Sequence, residues 1–426
     1  MTPIILSNDQ QKVYDSLIEV SSGAYLITGF AGTGKTFLAA EIIKTFIKEN
    51  KKVLCLAPTH QAKMQLQSSI PKDADCRTIA SFLKIKAERD PVNGMINFVR
   101  GSITTEDADQ YRLLVIDECS MISEDELKLI LKLKNKIPLI FLGDFNQLPP
   151  VNRKDGKEIF EGIKQYDLTE QHRNSGDVLK LCNTLRHEVK LPSISNDEIQ
   201  IYNSRNKFLE DLIIEITTNP DPYNICYLGF TNREVKEIRN TIQDILHGNN
   251  DIHLNQYLRL ETKVGEFNVS EIVEVLKLQK KNIFLCGKQY ECFECELENI
   301  FTGKTLTAKI MSYNEQDILE EDLQELYKVA EFAYNKIIKA KRNRANNNEI
   351  QRLENDHKEL LRVIKETDQI TRVSSPFALT IHKSQGRTIP VVYLDTIDLI
   401  KYGRENKRAL MYVGCSRTKD NLKILK

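Results

Sequence analysis

At 426 residues, 41% apolar and 28% charged, the chain can build two to four compact units and is too rich in core residues for a disordered or fibrous protein. Its 60 Lys and Arg balance 60 Asp and Glu, whereas phosphate-tracking proteins are commonly basic, so any basic channel has to be local. Nine scattered cysteines make no disulfide framework and point to a reducing compartment, and no run is apolar enough to span a membrane.

The start, Met1 to Leu6, lacks the charged flank and long apolar run of a signal peptide, so a cytoplasmic location is expected. Runs that are apolar throughout follow: Ala24–Thr28, Val53–Ala57, Leu113–Ile116, Leu139–Leu142, Ile225–Phe230 and Val391–Leu394. Such runs predict strands of a parallel sheet covered on both faces. Behind the first, Leu38, Ala39, Ile42, Ile43, Phe46 and Ile47 recur at helical spacing, and the alternation of strand and helix predicts an α/β architecture. The strands fall into two groups, one before about residue 186 and one over 187–250 and 370–426.

Two insertions interrupt this pattern. At 84–102, Asn93-Gly94 predicts a β-hairpin projecting from the first α/β domain. Residues 255–312 read as short strands with little helical period, as in a small β-barrel. Leu319, Leu323, Leu326, Ala330, Ala333 and Ile337, then Ile350, Leu353, His357, Leu360 and Ile364 beyond a polar turn at 341–348, predict two amphipathic helices packed as a hairpin. Cys286, Cys292 and Cys295 form the one cysteine cluster, but zinc prefers four ligands and no second pair follows, so no metal is expected there.

The chemistry concentrates at strand ends. Gly29-Phe30-Ala31-Gly32-Thr33-Gly34-Lys35-Thr36 matches the phosphate-binding loop pattern in full, between a strand and a helix. Its glycines let backbone N–H groups around Gly32, Thr33 and Gly34 converge on phosphate oxygens. Lys35 is expected to reach the β- and γ-phosphates and Thr36 to hold Mg²⁺. Asp117 and Glu118 end the strand Val115-Ile116, where Asp117 suits Mg²⁺ and Glu118 suits accepting a proton from attacking water. Together with the loop, this predicts hydrolysis of a nucleoside triphosphate. Gln147, in the segment Gly143–Pro150, is placed to touch the γ-phosphate. Arg173 and Arg417 are candidates for stabilising its transition-state charge, although either one alone also reads as a surface ion pair.

In this order the segments resemble the motor motifs of superfamily 1 helicases. Gln10 resembles the adenine-reading glutamine, 57–62 and 78–83 the strand-contacting motifs of the first domain, and 230–232 and 379–386 those of the second. The wording of 143–150 and of His382-Lys383-Ser384-Gln385-Gly386 favours the RecD-like branch, superfamily 1B. Size, hairpin and helical insertion are most similar to the Dda-type helicases of T4-type phages; residues 250–370 match by position and length alone.

The resemblance implies two RecA-like motor domains, 1–186 and 187–250 with 370–426. It also implies a hairpin pin at 84–102 and an inserted domain, 251–369, made of an SH3-like barrel and a helical arm. ATP with Mg²⁺ would sit between the motor domains, with Gln10 and Gly386 among the nucleotide's neighbours. The implied activity is 5′→3′ translocation on single-stranded DNA with unwinding of the duplex ahead. Thr59, His60, Thr231, Asn232, Thr380, His382 and Lys383 would grip phosphates and bases. Phe98 either stacks on a base at the duplex junction or packs the hairpin onto its domain. The phage likeness implies DNA replication in a host cytoplasm and leaves replication or single-strand-binding proteins open as partners. Ala80, where the family often has His, and Gly414 and Cys415, where it often has a small residue such as Ala, depart from the pattern. Two rivals stand beside the helicase: a translocase that strips proteins from single strands, and a binding subunit whose nucleotide site only switches conformation.

Overall fold

The computed structural model describes residues 6–30, 32–99, 108–148, 158–170, 176–402 and 406–426. They divide into two compact units, Met1–Ile85 with Gly101–Ile238 and Phe377–Lys426, and Lys86–Arg100 with Arg239–Pro376.

The chain opens with α1 (Asn8–Leu17), β1 (Ala24–Gly29), α2 (Lys35–Lys48), β2 (Val53–Ala57), α3 (His60–Ser69), β3 (Asp75–Thr78) and α4 (Ile79–Phe82). The hairpin β4 (Lys86–Arg89) and β5 (Ile96–Val99) follows, then β6 (Leu113–Ile116), α5 (Glu124–Leu131), β7 (Leu139–Gly143) and β8 (Lys164–Leu168). Six of these strands make a wholly parallel sheet in the order β3-β2-β6-β7-β1-β8. Every residue of β2, β6 and β7 is buried, as two covered faces require. One face carries Leu38, Ile42 and Phe46, the other Tyr111, Leu127 and Phe160. The edge strands β3 and β8 are half-exposed and have no apolar run, which is why their sequence does not announce them.

The second lobe of this unit begins with α6 (Asp177–Leu185), β9 (Ile199–Tyr202), α7 (Arg205–Thr218), β10 (Ile225–Gly229) and α8 (Asn232–His247). The insertion then supplies β11 (Tyr257–Leu260), β12 (Ile272–Leu285), β13 (Lys288–Asn299), β14 (Thr305–Ile310), α9 (Tyr313–Arg342), α10 (Asn347–Glu366), β15 (Ile370–Thr371) and β16 (Val373–Ser374). The lobe resumes with β17 (Ala378–Thr380), β18 (Ile389–Asp395), α11 (Ile397–Tyr402), α12 (Lys407–Ser416) and β19 (Thr418–Leu425). Its sheet, β17-β10-β18-β19-β9, is again wholly parallel. Leu181, Cys182 and Leu185 of α6 pack in its core with Leu410 to Val413 of α12.

The other unit is built on a curled sheet, β15-β14-β13-β12-β11-β16, antiparallel except at β14–β15. Instead of short strands, β12 and β13 run 14 and 12 residues. They join through a two-residue turn, Cys286-Gly287, with both φ positive. Leu258, Phe267, Val273 and Leu297 fill the barrel. Cys295 packs in that core and Cys292 in the cluster under α9, so alternation along the strand sends them to opposite faces. α9 and α10 pair as the helical spacing predicts, burying Leu319, Leu323, Ala330 and Ile364. Ser312 and Asn346 cap their N-termini. Among the described residues no helix is long and apolar enough to cross a membrane.

In the hairpin, Lys86 pairs with Val99 and Arg89 with Ile96, which leaves a connection longer than the two residues Asn93-Gly94 predict. Asp90 causes the difference: its Oδ1 accepts from the amides of Val92 at 2.7 Å and Asn93 at 3.3 Å, closing a local turn. Gly94 alone takes a positive φ, +80°, and a Cβ there would lie 3.1 Å from both Leu361 and Ile364 of α10. Arg89 pairs with Asp368, and a ring nitrogen of His357 meets Val92 O at 2.8 Å, so the hairpin turn is seated on the helical arm.

Candidate nucleotide site and nucleic-acid track

The loop after β1 folds as its glycines demand. Gly32 and Gly34 have φ of +87° and +76°, a region L side chains rarely adopt, and Gly34 caps α2. Thr33 Oγ1 donates to Phe30 O at 2.9 Å. Ser7 and Gln10 form a capping box on α1, which aims the Gln10 amide so that Nε2 donates to Thr33 O at 3.2 Å. The glutamine thereby ties the first helix to the phosphate loop. Lys35 Nζ donates to Gly29 O at 2.7 Å and Phe30 O at 3.0 Å, neutral acceptors that a phosphate oxygen would outcompete.

Asp117 and Glu118 follow β6 at the same sheet edge. Burial first, then the adjacent Glu118 carboxylate, pushes the Asp117 carboxyl up to about 7, while Lys35 opposes the rise. Glu118 is left-handed at φ 49°, a sparsely populated conformation for a residue with a side chain, and its amide donates to Asp117 Oδ1 at 2.9 Å. A cavity of about 630 Å³ brings together Gln10, Lys35, Thr36, Asp117, Glu118 and Gln147 of the first lobe with Arg417 of the second. Gln147 Oε1 and Arg417 Nε are buried there with no hydrogen-bond partner among the described residues. Orphaned donors and acceptors beside two half-buried carboxylates and a lysine fit a nucleoside triphosphate carrying a divalent cation.

Other expected residues are placed differently. Thr33 is fully buried behind the cavity wall. Gly386 also lies outside the lining: at φ +73°, it lets its turn approach α3, where a Cβ would lie 3.0 Å from that of Ala62. Arg173 falls outside the described residues. Phe37, Gln65, Arg387 and Thr388 line the cavity without having been singled out from sequence. The available signal for Phe37 was an aromatic out of phase with the buried face of α2, and it is 42% exposed.

The lobes meet through specific bonds. Tyr412 of α12 donates its hydroxyl to Asp144 Oδ2, just past β7, at 2.6 Å, with both residues 1% exposed. Gln65 Nε2 donates to Thr388 Oγ1 at 3.1 Å, and Leu148 packs in the core of the second lobe.

The expected strand-gripping residues sit at the carboxyl ends of parallel strands. Thr59, after β2, caps α3 by accepting from Ala62 N at 3.1 Å, and His60 beside it is half-buried. Thr231, after β10, accepts from Glu234 N at 3.3 Å, and Thr380, ending the neighbouring β17, accepts from Lys383 N at 3.3 Å. Because Gly229 and Thr380 are register partners, the structure gathers Thr231, Asn232, Thr380, His382 and Lys383 on one edge of the second sheet. A hydroxyl that accepts an amide still has its own proton to donate, so these caps remain available to a phosphate. Asn232, His382 and Lys383 are exposed, and partial desolvation draws the His382 imidazole below its usual pKa. Phe98 belongs to the other compact unit, where it is 76% exposed opposite Ala87.

The sequence matches the AAA domain family model over residues 5–207 and the UvrD-like helicase C-terminal domain model over 376–425. An uncharacterised protein of Acanthamoeba polyphaga mimivirus is 26% identical, over 93% of this chain and 94% of its own. The ATP-dependent DNA helicase Dda of Enterobacteria phage T4 is 31% identical over 38% of this chain, which spans only 37% of Dda. The crystal structure of Bacteroides Pif1 bound to single-stranded DNA shares the fold, with a TM-score of 0.51 at 15% identity over 99% of this chain and 92% of that one. The first match takes in the strands of the first parallel sheet and runs on to β9, the second takes in β17 to β19 of the second sheet, and together these likenesses are consistent with a superfamily 1B helicase similar to Dda and Pif1.

Proposed function

We propose that the protein is an ATP-dependent DNA helicase that moves 5′→3′ on single-stranded DNA and unwinds duplex DNA ahead of it. One observation carries this reading: Lys35 from one lobe and Arg417 from the other line one cavity, while both lobes present capping threonines at strand ends. In the proposed scheme two motor lobes alternate their grip, with α6, which lies before the boundary expected at residue 186, packing in the second lobe beside 187–250 and 370–426; residues 84–102 form the pin, and 251–369 the inserted domain.

Bound ATP with Mg²⁺ would supply the phosphoryl group whose cleavage releases the free energy. The backbone amides from Gly32 to Thr36 and the Lys35 ammonium would hold the phosphates, and Thr36 and Asp117 the cation. Glu118 would take the proton of the attacking water, with Gln147 reporting on the γ-phosphate. Arg417, with Arg173 as its first-lobe counterpart, would neutralise developing charge; an arginine in that role is worth roughly 10³–10⁵ in rate. Since Arg417 follows α12, whose Tyr412 reaches Asp144, loss of the γ-phosphate would change the fit between the lobes. Thr59 and His60 on one lobe and Thr231, Asn232, Thr380, His382 and Lys383 on the other would then hold the strand alternately through its phosphates. The exposed Phe98 supports a pin that stacks on a base at the junction, rather than a motor that only displaces bound proteins.

The test is unwinding of 5′-tailed against 3′-tailed duplexes with ATP, beside displacement of streptavidin from biotinylated single strands. Separation of the 5′-tailed duplex alone is expected. Unwinding from the 3′ tail would reverse the assigned polarity, and streptavidin release without strand separation would leave the translocase in its place.

A further inference from the structure

Arg186 follows α6 as its C-cap and is only 8% exposed. Its guanidinium carbon lies 3.3 Å from the ring centroid of Phe30, inside the phosphate loop, and 5.8 Å from that of Tyr412 on α12. The Arg186 carbonyl accepts from Arg408 Nη1, which secures its backbone to α12. Nε and Nη2 are buried and lack a hydrogen-bond partner among the described residues. Packing alone does not account for this choice of side chain. A methionine would fill the same space without burying a charge and two unmet donors, whereas a guanidinium is the cation that stacks best on an aromatic face.

Phe30 stands where nucleotide binding would be felt. Its carbonyl and that of Gly29 now accept from Lys35 Nζ, so drawing Lys35 to a phosphate would release the backbone of the residue on which Arg186 rests. On the other side, Arg186 ends α6, which packs against α12, the latter running into Arg417. Arg186 does not line the cavity itself.

We propose that Arg186 is a positioning residue that couples the phosphate loop to the second lobe: stacked on Phe30, it transmits the state of the nucleotide site to α6 and α12. This rests on the ATP-driven motor reading above. The experiment is steady-state ATP hydrolysis by the full chain, with and without oligo-dT, for wild type, Arg186→Met, Arg186→Lys and Phe30→Leu, beside their melting temperatures. Arg186→Met is expected to keep KM for ATP within about twofold while DNA stimulation of kcat falls about tenfold, the usual scale of a coupling between sites. Arg186→Lys, which retains the cation, should recover part of the stimulation, and Phe30→Leu should lose it from the other side of the stack. An unaltered stimulation ratio in Arg186→Met, with wild type stimulated, would overturn the assignment of Arg186 alone. So would KM, kcat and melting temperature falling together in the methionine variant without rescue by lysine. Wild type that hydrolyses ATP with no response to DNA would overturn the motor reading and this inference with it.

Discussion

Tyr412→Phe removes one oxygen, and its effect follows from where that oxygen lies. The hydroxyl donates at 2.6 Å to Asp144 Oδ2, with both residues 1% exposed, and joins α12 of the second lobe to the segment after β7 of the first. Oδ1 keeps two donors from Asn146, at 3.0 and 3.4 Å, so the carboxylate is weakened rather than stripped. A hydrogen bond to a charged group contributes about 1.5–3 kcal/mol, and an acceptor left desolvated moves the loss to the upper half of that range. We therefore expect about 2–3 kcal/mol, roughly 30- to 150-fold in the opening equilibrium. Hydrogen exchange read by mass spectrometry suits a chain of two compact units, because it reports opening locally and requires no two-state transition. Peptides covering 139–148 and 407–417 should lose protection together, and a double-mutant cycle with Asp144→Asn should show coupling above about 1 kcal/mol. Additive effects, or loosening confined to the α12 peptide, would refute the bond as a latch between lobes.

Lys35→Ala should abolish ATP hydrolysis and leave single-strand binding largely intact; hydrolysis near the wild-type rate would contradict its assignment to the phosphates. Phe98→Ala should impair unwinding more than translocation, with stability unchanged within about 0.5 kcal/mol because the ring is already 76% exposed; equal loss of both activities would remove the pin. Burial, then the charge of Asp395 and a hydrogen bond to Asp398, raises the Glu234 carboxyl from 4.5 to about 8, although Arg205 at 2.8 Å opposes this. The folded chain then holds a proton that the unfolded chain has released, so this group's contribution to stability falls as pH rises from 4.5 to about 8. Glu234→Gln should flatten that decline in melting temperature; an unchanged slope would show that another group sets it.

The sequence alone carried what depends on a few adjacent residues or on continuous burial. The loop from Gly29 to Thr36 is legible because left-handed glycines, a lysine and a helix N-terminus are local requirements. β2, β6, β7 and β10 are legible because strands covered on both faces must be apolar throughout, whereas the edge strands β3 and β8 alternate and leave no run. The hairpin was evident from Asn93-Gly94, but its turn was decided by Asp90, whose carboxylate captures two amides before the glycine is reached. β12 and β13 looked short because their outer faces are charged, with Lys277 and Lys281 paired to Glu296 and Glu294 across the strands, an alternation that lowers mean hydropathy while extending the ladder.

Tertiary structure decided the rest. Thr388 joins Phe37 and Gln65 at the nucleotide cavity, and Arg186 reaches Phe30, because the two parallel sheets lie in one compact unit. No residue spacing encodes that arrangement. A helical or strand period reports which face of an element is buried, but the partner brought to that face is selected by packing across more than a hundred intervening residues.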